Sequence, residues 1–110
     1  MMLGRLRYGA SAVTHRDALR WATEGSARCL GRDDVGRIAA GLEADLALFT
    51  LDEPRFSGAH DPIAALVLCG AQRADRVMIA GQWRVVDGAP VGVDLAALLA
   101  EHRAAARMLV

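Results

Sequence analysis

Gly36-Arg37-Ile38-Ala39-Ala40-Gly41-Leu42-Glu43-Ala44-Asp45-Leu46-Ala47-Leu48-Phe49-Thr50 decides how the chain folds. One glycine opens it, a second interrupts it, and an apolar run closes it. Gly41 falls where the backbone must reverse, and glycine takes positive φ there without a Cβ clash. Residues 46–51 are short, apolar and bounded by turn residues, which predicts a buried strand. Residues 37–39 suit a shorter strand. Asp45, just before the longer one, is expected to accept backbone N–H groups and pin the turn.

Toward the N-terminus the period changes from two to that of a helix. Thr14 with Asp17 three residues on is a helix start, with Asp as a short substitute for the usual capping-box glutamate. Ala18, Leu19 and Ala22 then predict a helix over residues 15–23. Gly25-Ser26 predicts a break, and a second short helix over 26–30 ends at Gly31, a good left-handed C′ residue. His15, in the first turn, reads as a solvated helix-start histidine and not as a metal ligand. Asp33-Asp34 sits in a polar, glycine-bounded boundary. It lacks the alternating acids and distal glutamate of a calcium loop.

Toward the C-terminus, residues 52–59 form a loop. His60-Asp61-Pro62 reads as a turn in which Asp61 accepts backbone N–H groups and Pro62 fixes φ. Residues 63–69 read as a helical turn followed by a strand at 67–69. Residues 75–80 and 83–87 predict a β-hairpin, with Gly81-Gln82 as a two-residue type II′ loop and residues 88–90 ending it. Asp94 caps a terminal helix whose Leu95, Leu98, Leu99, His102 and Ala106 fall near one face, so it is expected to pack on protein. The fold class is therefore α+β: N-terminal helices, a small antiparallel sheet of three to five strands, and a C-terminal helix. The expected divisions are residues 1–33, 34–92 and 93–110.

Composition narrows the function classes. The 13 basic residues are all arginine and balance 13 acidic ones, so the formal net charge is zero. That gives no electrostatic case for nucleic acid or a membrane surface as partner. No run approaches the length of a membrane span, and no secretory leader is read at the start. Cys29 and Cys69 are too far apart in sequence for a metal motif or a disulfide framework. They are expected as buried free thiols of a cytoplasmic protein.

The opening stretch resembles the G-x-[IL]-x-x-G-x-x-A-D-[LF] segment near the C-terminus of metal-dependent amidohydrolases. The likeness extends upstream through Ala18-Leu19-Arg20-Trp21-Ala22-Thr23-Glu24-Gly25-Ser26-Ala27-Arg28-Cys29-Leu30-Gly31. Downstream it continues through His60-Asp61-Pro62-Ile63-Ala64-Ala65-Leu66-Val67 and Val77-Met78-Ile79-Ala80-Gly81-Gln82-Trp83-Arg84-Val85-Val86-Asp87-Gly88. Within that family the resemblance is to the 8-oxoguanine deaminase and hydroxyatrazine hydrolase-like subgroup. It implies a (β/α)8 barrel with a small composite β-sandwich, hydrolysis of C–N bonds on purine- or triazine-like rings, and zinc or another divalent metal in the parent enzyme.

The family's H-x-H ligand pair is not in this sequence, whose three histidines are His15, His60 and His102. A full barrel takes about 250 residues, more than the 110 present. The chain is therefore expected to be a C-terminal fragment with no catalytic, cofactor-binding or metal-binding residue of its own, inactive alone. Burial of one large aliphatic side chain is worth about 1.5–3 kcal/mol, against a domain stability of about 5–15 kcal/mol. A face bared by missing strands is thus a large deficit. The expected partner is a second copy, in a homo-oligomer, or the missing N-terminal portion.

Overall fold

The computed structural model describes residues 7–9, 11–70 and 73–108. Thr14 opens a helix with a complete capping box: its hydroxyl accepts the Asp17 N–H at 3.1 Å, and the Asp17 carboxylate accepts the Thr14 N–H at 2.9 Å. The helix α1, His15–Arg20, does not break at Gly25-Ser26. It passes through a π-helical turn, Trp21–Gly25, into α2, Ser26–Cys29. Gly25 keeps ordinary right-handed angles, φ −64° and ψ −44°. The widened turn leaves carbonyls for side chains to reach. Thr23 Oγ1 donates to the Leu19 carbonyl at 2.9 Å and Ser26 Oγ to that of Trp21 at 3.3 Å. The predicted break is thus a bulge inside one continuous helical rod. Its end is a Schellman motif, with Gly31 at φ +68°, the Arg32 N–H on the Ala27 carbonyl and the Gly31 N–H on that of Arg28.

Residues 37–39 run as a loop and not as the expected strand, and Ile38 is 89% exposed. Among the described residues they have no strand to pair with. Gly41 turns the chain at φ +83° as expected. The sheet has four antiparallel strands in sequence order: β1 Leu46–Leu48, β2 Arg76–Ile79, β3 Gln82–Val86 and β4 Ala89–Pro90. Leu46 lies opposite Met78, and Met78 opposite Trp83, with a register irregularity between Val77 and Met78. The first strand is shorter than the 46–51 run predicts.

Between β1 and β2 the chain inserts α3, Pro62–Leu68. Residues 67–69, expected as a strand, are the end of this helix and its cap. The physical cause lies at its start, where Pro62 presets a helical φ and the Asp61 carboxylate takes two of the first free N–H groups. The hairpin exists, but its turn is Ala80-Gly81, with φ +48° and +75°, and Gln82 already belongs to β3. Two positive φ values make it the I′ geometry and not II′. Asp87-Gly88, at φ +50° and +69°, repeats that turn and returns the chain into β4. Residues 88–90 therefore extend the sheet where they were expected to end it.

The terminal helix α4, Leu95–Arg107, is capped as expected, the Asp94 carboxylate accepting the Ala97 N–H at 3.0 Å. It does not pack on the described chain: none of its residues is buried, and Leu95, Leu98 and Leu99 are all exposed. Cys29 and Cys69 are also exposed, against the expectation of burial. The buried apolar residues are Val13, Ala27, Phe56 and Ala65, all at or beside the helices and the loop before α3. Gly36, at φ +91°, lies against the rod so closely that a Cβ there would sit 2.9 Å from Ala27 Cβ. No helix among the described residues is long and apolar enough to cross a membrane.

Candidate functional site

Two features of the surface have the geometry to do something beyond local folding. The first is the Asp61 carboxylate, which joins two elements remote in sequence. One oxygen accepts the Ile63 N–H at 2.8 Å and the Ala64 N–H at 3.2 Å, capping α3. The other lies 3.1 Å from His15 Nε2 and 3.1 Å from the Arg16 guanidinium, on the first turn of α1. Backbone donation from Ala64, then from Ile63, with His15 and Arg16 adding to it, holds the Asp61 carboxyl below the usual carboxylate range. The carboxylate thus stays ionised at neutral pH and serves as a clamp between the two helices. His15 is therefore half-buried and engaged, where a solvated histidine was expected.

The second is an open groove of about 500 Å³ along the rod. Leu19, Leu30, Val35 and Ile38 give it apolar walls, and Asp45 closes the end nearest the sheet. Leu30 is 76% exposed and Ile38 89% exposed, so their side chains stand in the open. Asp45 does pin a turn, though a distant one: it accepts the Ala80 N–H at 2.8 Å.

The other polar candidates do not converge. Asp34 is held by the Arg32 guanidinium in a two-point pair at 2.8 and 2.6 Å, which lowers its pKa. His60 and His102 are exposed on separate elements. No group of three or more His, Cys, Asp or Glu side chains among the described residues is placed to hold a metal ion. These residues do not fit a catalytic metal.

The sequence profile of the amidohydrolase family matches residues 1–84, most of the chain. The chain belongs to the amidohydrolase family. This amidohydrolase chain is 66% identical over all of its residues to the 8-oxoguanine deaminase of Pseudomonas aeruginosa, covering 24% of that protein. Among solved structures it is similar to the atrazine chlorohydrolase of Arthrobacter aurescens TC1 complexed with zinc. The TM-score is 0.78 at 38% identity, over 93% of this chain and 25% of that one. It is also similar to an adenosine deaminase from Xanthomonas campestris with bound zinc, at TM-score 0.83 and 31% identity, over 91% of this chain and 23% of that one. The amidohydrolase chain therefore spans about a quarter of the length of the relatives it matches.

Sequence reasoning placed the Asp61 cap but missed its partners. His15 lies 46 positions away, and no periodicity links residues across such a gap. The one available signal was that both open a helix, His15 after Thr14 and Pro62 after Asp61.

Proposed function

We propose that this chain is the C-terminal quarter of a hydrolytic deaminase that replaces a ring amino group with oxygen, and that the assembled enzyme acts on 8-oxoguanine. Water adds at the ring carbon, the C–N bond breaks, and ammonia leaves. Identity of 66% across the whole chain to a protein named for that reaction carries the reading. In it, residues 1–33 supply the end of the barrel, 34–92 part of a β-sandwich, and 93–110 an outer helix. In this reading the metal and the reacting carbon are held mainly by the rest of the enzyme, a reading supported by the lack of any metal-holding group among the described residues. What this chain contributes in this reading is support, with the Asp61 clamp fixing the helical rod against α3. The assembled enzyme is cytoplasmic in this reading.

The test is a chimera of the Pseudomonas aeruginosa enzyme in which the matching quarter is replaced by this chain. Zinc-loaded and folded, it should release ammonia from 8-oxoguanine within roughly tenfold of the parent rate, about 1.4 kcal/mol in barrier. A folded, zinc-loaded but inactive chimera overturns the reading. A second reading, a stand-alone assembly module that self-associates, is favoured by the exposed Leu95, Leu98 and Leu99. Sedimentation of the chain alone distinguishes it: a tight homodimer that binds no barrel supports this second reading.

A further inference from the structure

The turn between β3 and β4 carries a chemically reactive pair. Asp87 alone among the aspartates is followed by glycine, and the chain has no asparagine. In an Asp-Gly pair the glycine nitrogen can reach the side-chain carboxyl, because no Cβ on the second residue stands in its way. Asp61, by contrast, precedes Pro62, whose nitrogen carries no proton to give up. The Asp87 side chain is 81% exposed, and its ion pair with Arg76 Nη2 spans 3.8 Å, too long for a hydrogen bond. Water reaches the turn through an open polar hollow of about 200 Å³, whose lining includes Thr50, Glu53, Arg73, Asp75, Asp87 and Gly88.

The fold restrains the second member of the pair. The Gly88 N–H donates to the Asp75 carbonyl at 2.8 Å. Arg73 Nε and Nη2 both donate to the Gly88 carbonyl, at 3.0 and 2.6 Å. Both backbone polar groups of Gly88 are thus tied to the segment that enters β2. The guanidinium lies so close that a Cβ on residue 88 would sit 2.6 Å from Arg73 Nε, and Gly88 stands at φ +69°. A bulkier residue that slowed attack on Asp87 would therefore break the latch. The latch and the reactive pair come together.

We infer that Asp87 is a covalent modification site, where the chain isomerises to isoaspartate at a rate set by the Arg73 latch. The Gly88 nitrogen gives its proton to solvent and bonds to Asp87 Cγ. The Cγ–O bond breaks and water leaves, closing a succinimide ring. Water then adds to the ring carbonyl that was the Asp87 backbone carbon, that carbon's bond to nitrogen breaks, and the chain runs on through Cγ. One water leaves and one returns, with no change of oxidation state. While the Gly88 N–H rests on the Asp75 carbonyl its proton is withheld from solvent, so the reaction waits for the turn to open locally. The product carries an extra backbone methylene between Val86 and Ala89, which face each other across β3 and β4. Its freed α-carboxyl is the group that a carboxyl methyltransferase specific for isoaspartate would take. None of this depends on the substrate of the proposed enzyme.

The experiment ages the 110-residue chain at neutral pH and physiological temperature, folded and in denaturing urea. Isoaspartate at position 87 is read by mass spectrometry, as loss of cleavage by a protease that cuts before aspartate but not before isoaspartate. The folded chain should isomerise at least tenfold more slowly than the unfolded one. Arg73→Ala should raise the folded rate by roughly tenfold and leave the unfolded rate unchanged. Asp87→Glu should abolish the signal. No isoaspartate at 87 in the unfolded chain overturns the site. Equal folded and unfolded rates, or an Arg73→Ala rate equal to that of the parent, overturn the latch. Should Arg73→Ala not fold, the parent chain in urea below its unfolding transition decides. A rate that climbs with urea while the circular dichroism holds supports local opening, and a rate that only tracks global unfolding overturns it.

Discussion

Asp45 and Ala80, 35 positions apart, are joined by a 2.8 Å hydrogen bond from the Ala80 N–H to the Asp45 carboxylate. Ala80 is the first residue of the β2–β3 turn and sits at φ +48°, a conformation L-residues rarely adopt. The carboxylate therefore ties the end of the loop before β1 to the turn that sets the register of β2 and β3. The Gly81 N–H on the Ala44 carbonyl at 3.2 Å doubles the tie. Asp45→Ala should destabilise the chain by about 1–2 kcal/mol in urea unfolding, and Asp45→Asn, which keeps an acceptor, by less. Ala80→Gly should stabilise it by about 0.5 kcal/mol, since relief of the left-handed backbone outweighs the extra chain entropy.

Gly36 and Gly41 offer a matched pair. Both have positive φ, +91° and +83°, but only Gly36 is enclosed: a Cβ there would meet Ala27 Cβ at 2.9 Å and the Thr23 carbonyl at 3.1 Å. Gly41→Ala meets nothing within 4 Å and should cost about 1 kcal/mol through backbone strain alone. Gly36→Ala adds overpacking against the rod's backbone and should cost at least about 2 kcal/mol. Equal urea midpoints for the two variants would contradict the close packing of residues 34–36 on the rod.

The carboxylates predict the acid limb of stability. Asp61 is lowered mainly by the backbone N–H of Ala64, Asp17 by the Thr14 hydroxyl, and Asp34 by the Arg32 guanidinium. A carboxyl whose folded pKa is depressed stabilises the fold above its unfolded value, near 3.8, and loses that contribution as pH falls through the lower folded value. Urea midpoints should therefore be flat above about pH 5 and fall below about pH 4. Asp61→Asn should flatten the fall by removing one of the three groups. An unchanged acid limb in that variant would show that the clamp contributes nothing through its charge.

Helix α4 buries no residue against the described chain. Removing residues 93–108 should lower the far-ultraviolet helix signal while leaving the urea midpoint of the remainder within about 0.5 kcal/mol. Asp94→Ala should fray the helix from its start, a cap being worth about 1 kcal/mol. Both are read by circular dichroism. A large drop in the midpoint would place α4 on the body of the chain.

Local chemistry was readable in the sequence wherever a residue acts on neighbours three or four positions away. Thr14 with Asp17, Gly31 and Asp94 all cap as their types and spacing predict. The errors fall where apolar runs have no distinctive period. Residues 67–69 read equally well as strand, and Pro62 at the first helical position decided for helix. Asp87-Gly88 is a strong I′ signal that the proline two residues on obscured, though a strand at the sheet edge tolerates proline. Cys29, Cys69 and Ile38 were assigned to a core or strand that their apolar context suggests, and all three lie open, because apolar type alone does not say which neighbours the fold brings up. Of the candidate site, the Asp61 cap was legible and its pairing with His15 was not, since only the fold brings residues 15 and 61 together.

The π-helical turn at Trp21–Gly25 is where the rod can lose one residue and stay in phase. A π-turn holds one residue more than an α-turn, and each residue advances an α-helix by about 100°. Deleting one residue within 21–25 would let the rod close into a regular helix. Ala27 would still meet Gly36, because the five residues of the π-helical turn and four α-helical residues rotate the chain by nearly the same angle. A deletion in the α-helical parts of the rod, of a kind that an exposed loop would absorb, is by contrast a rotational error of about 100°. It propagates from one residue to the whole contact between rod and loop.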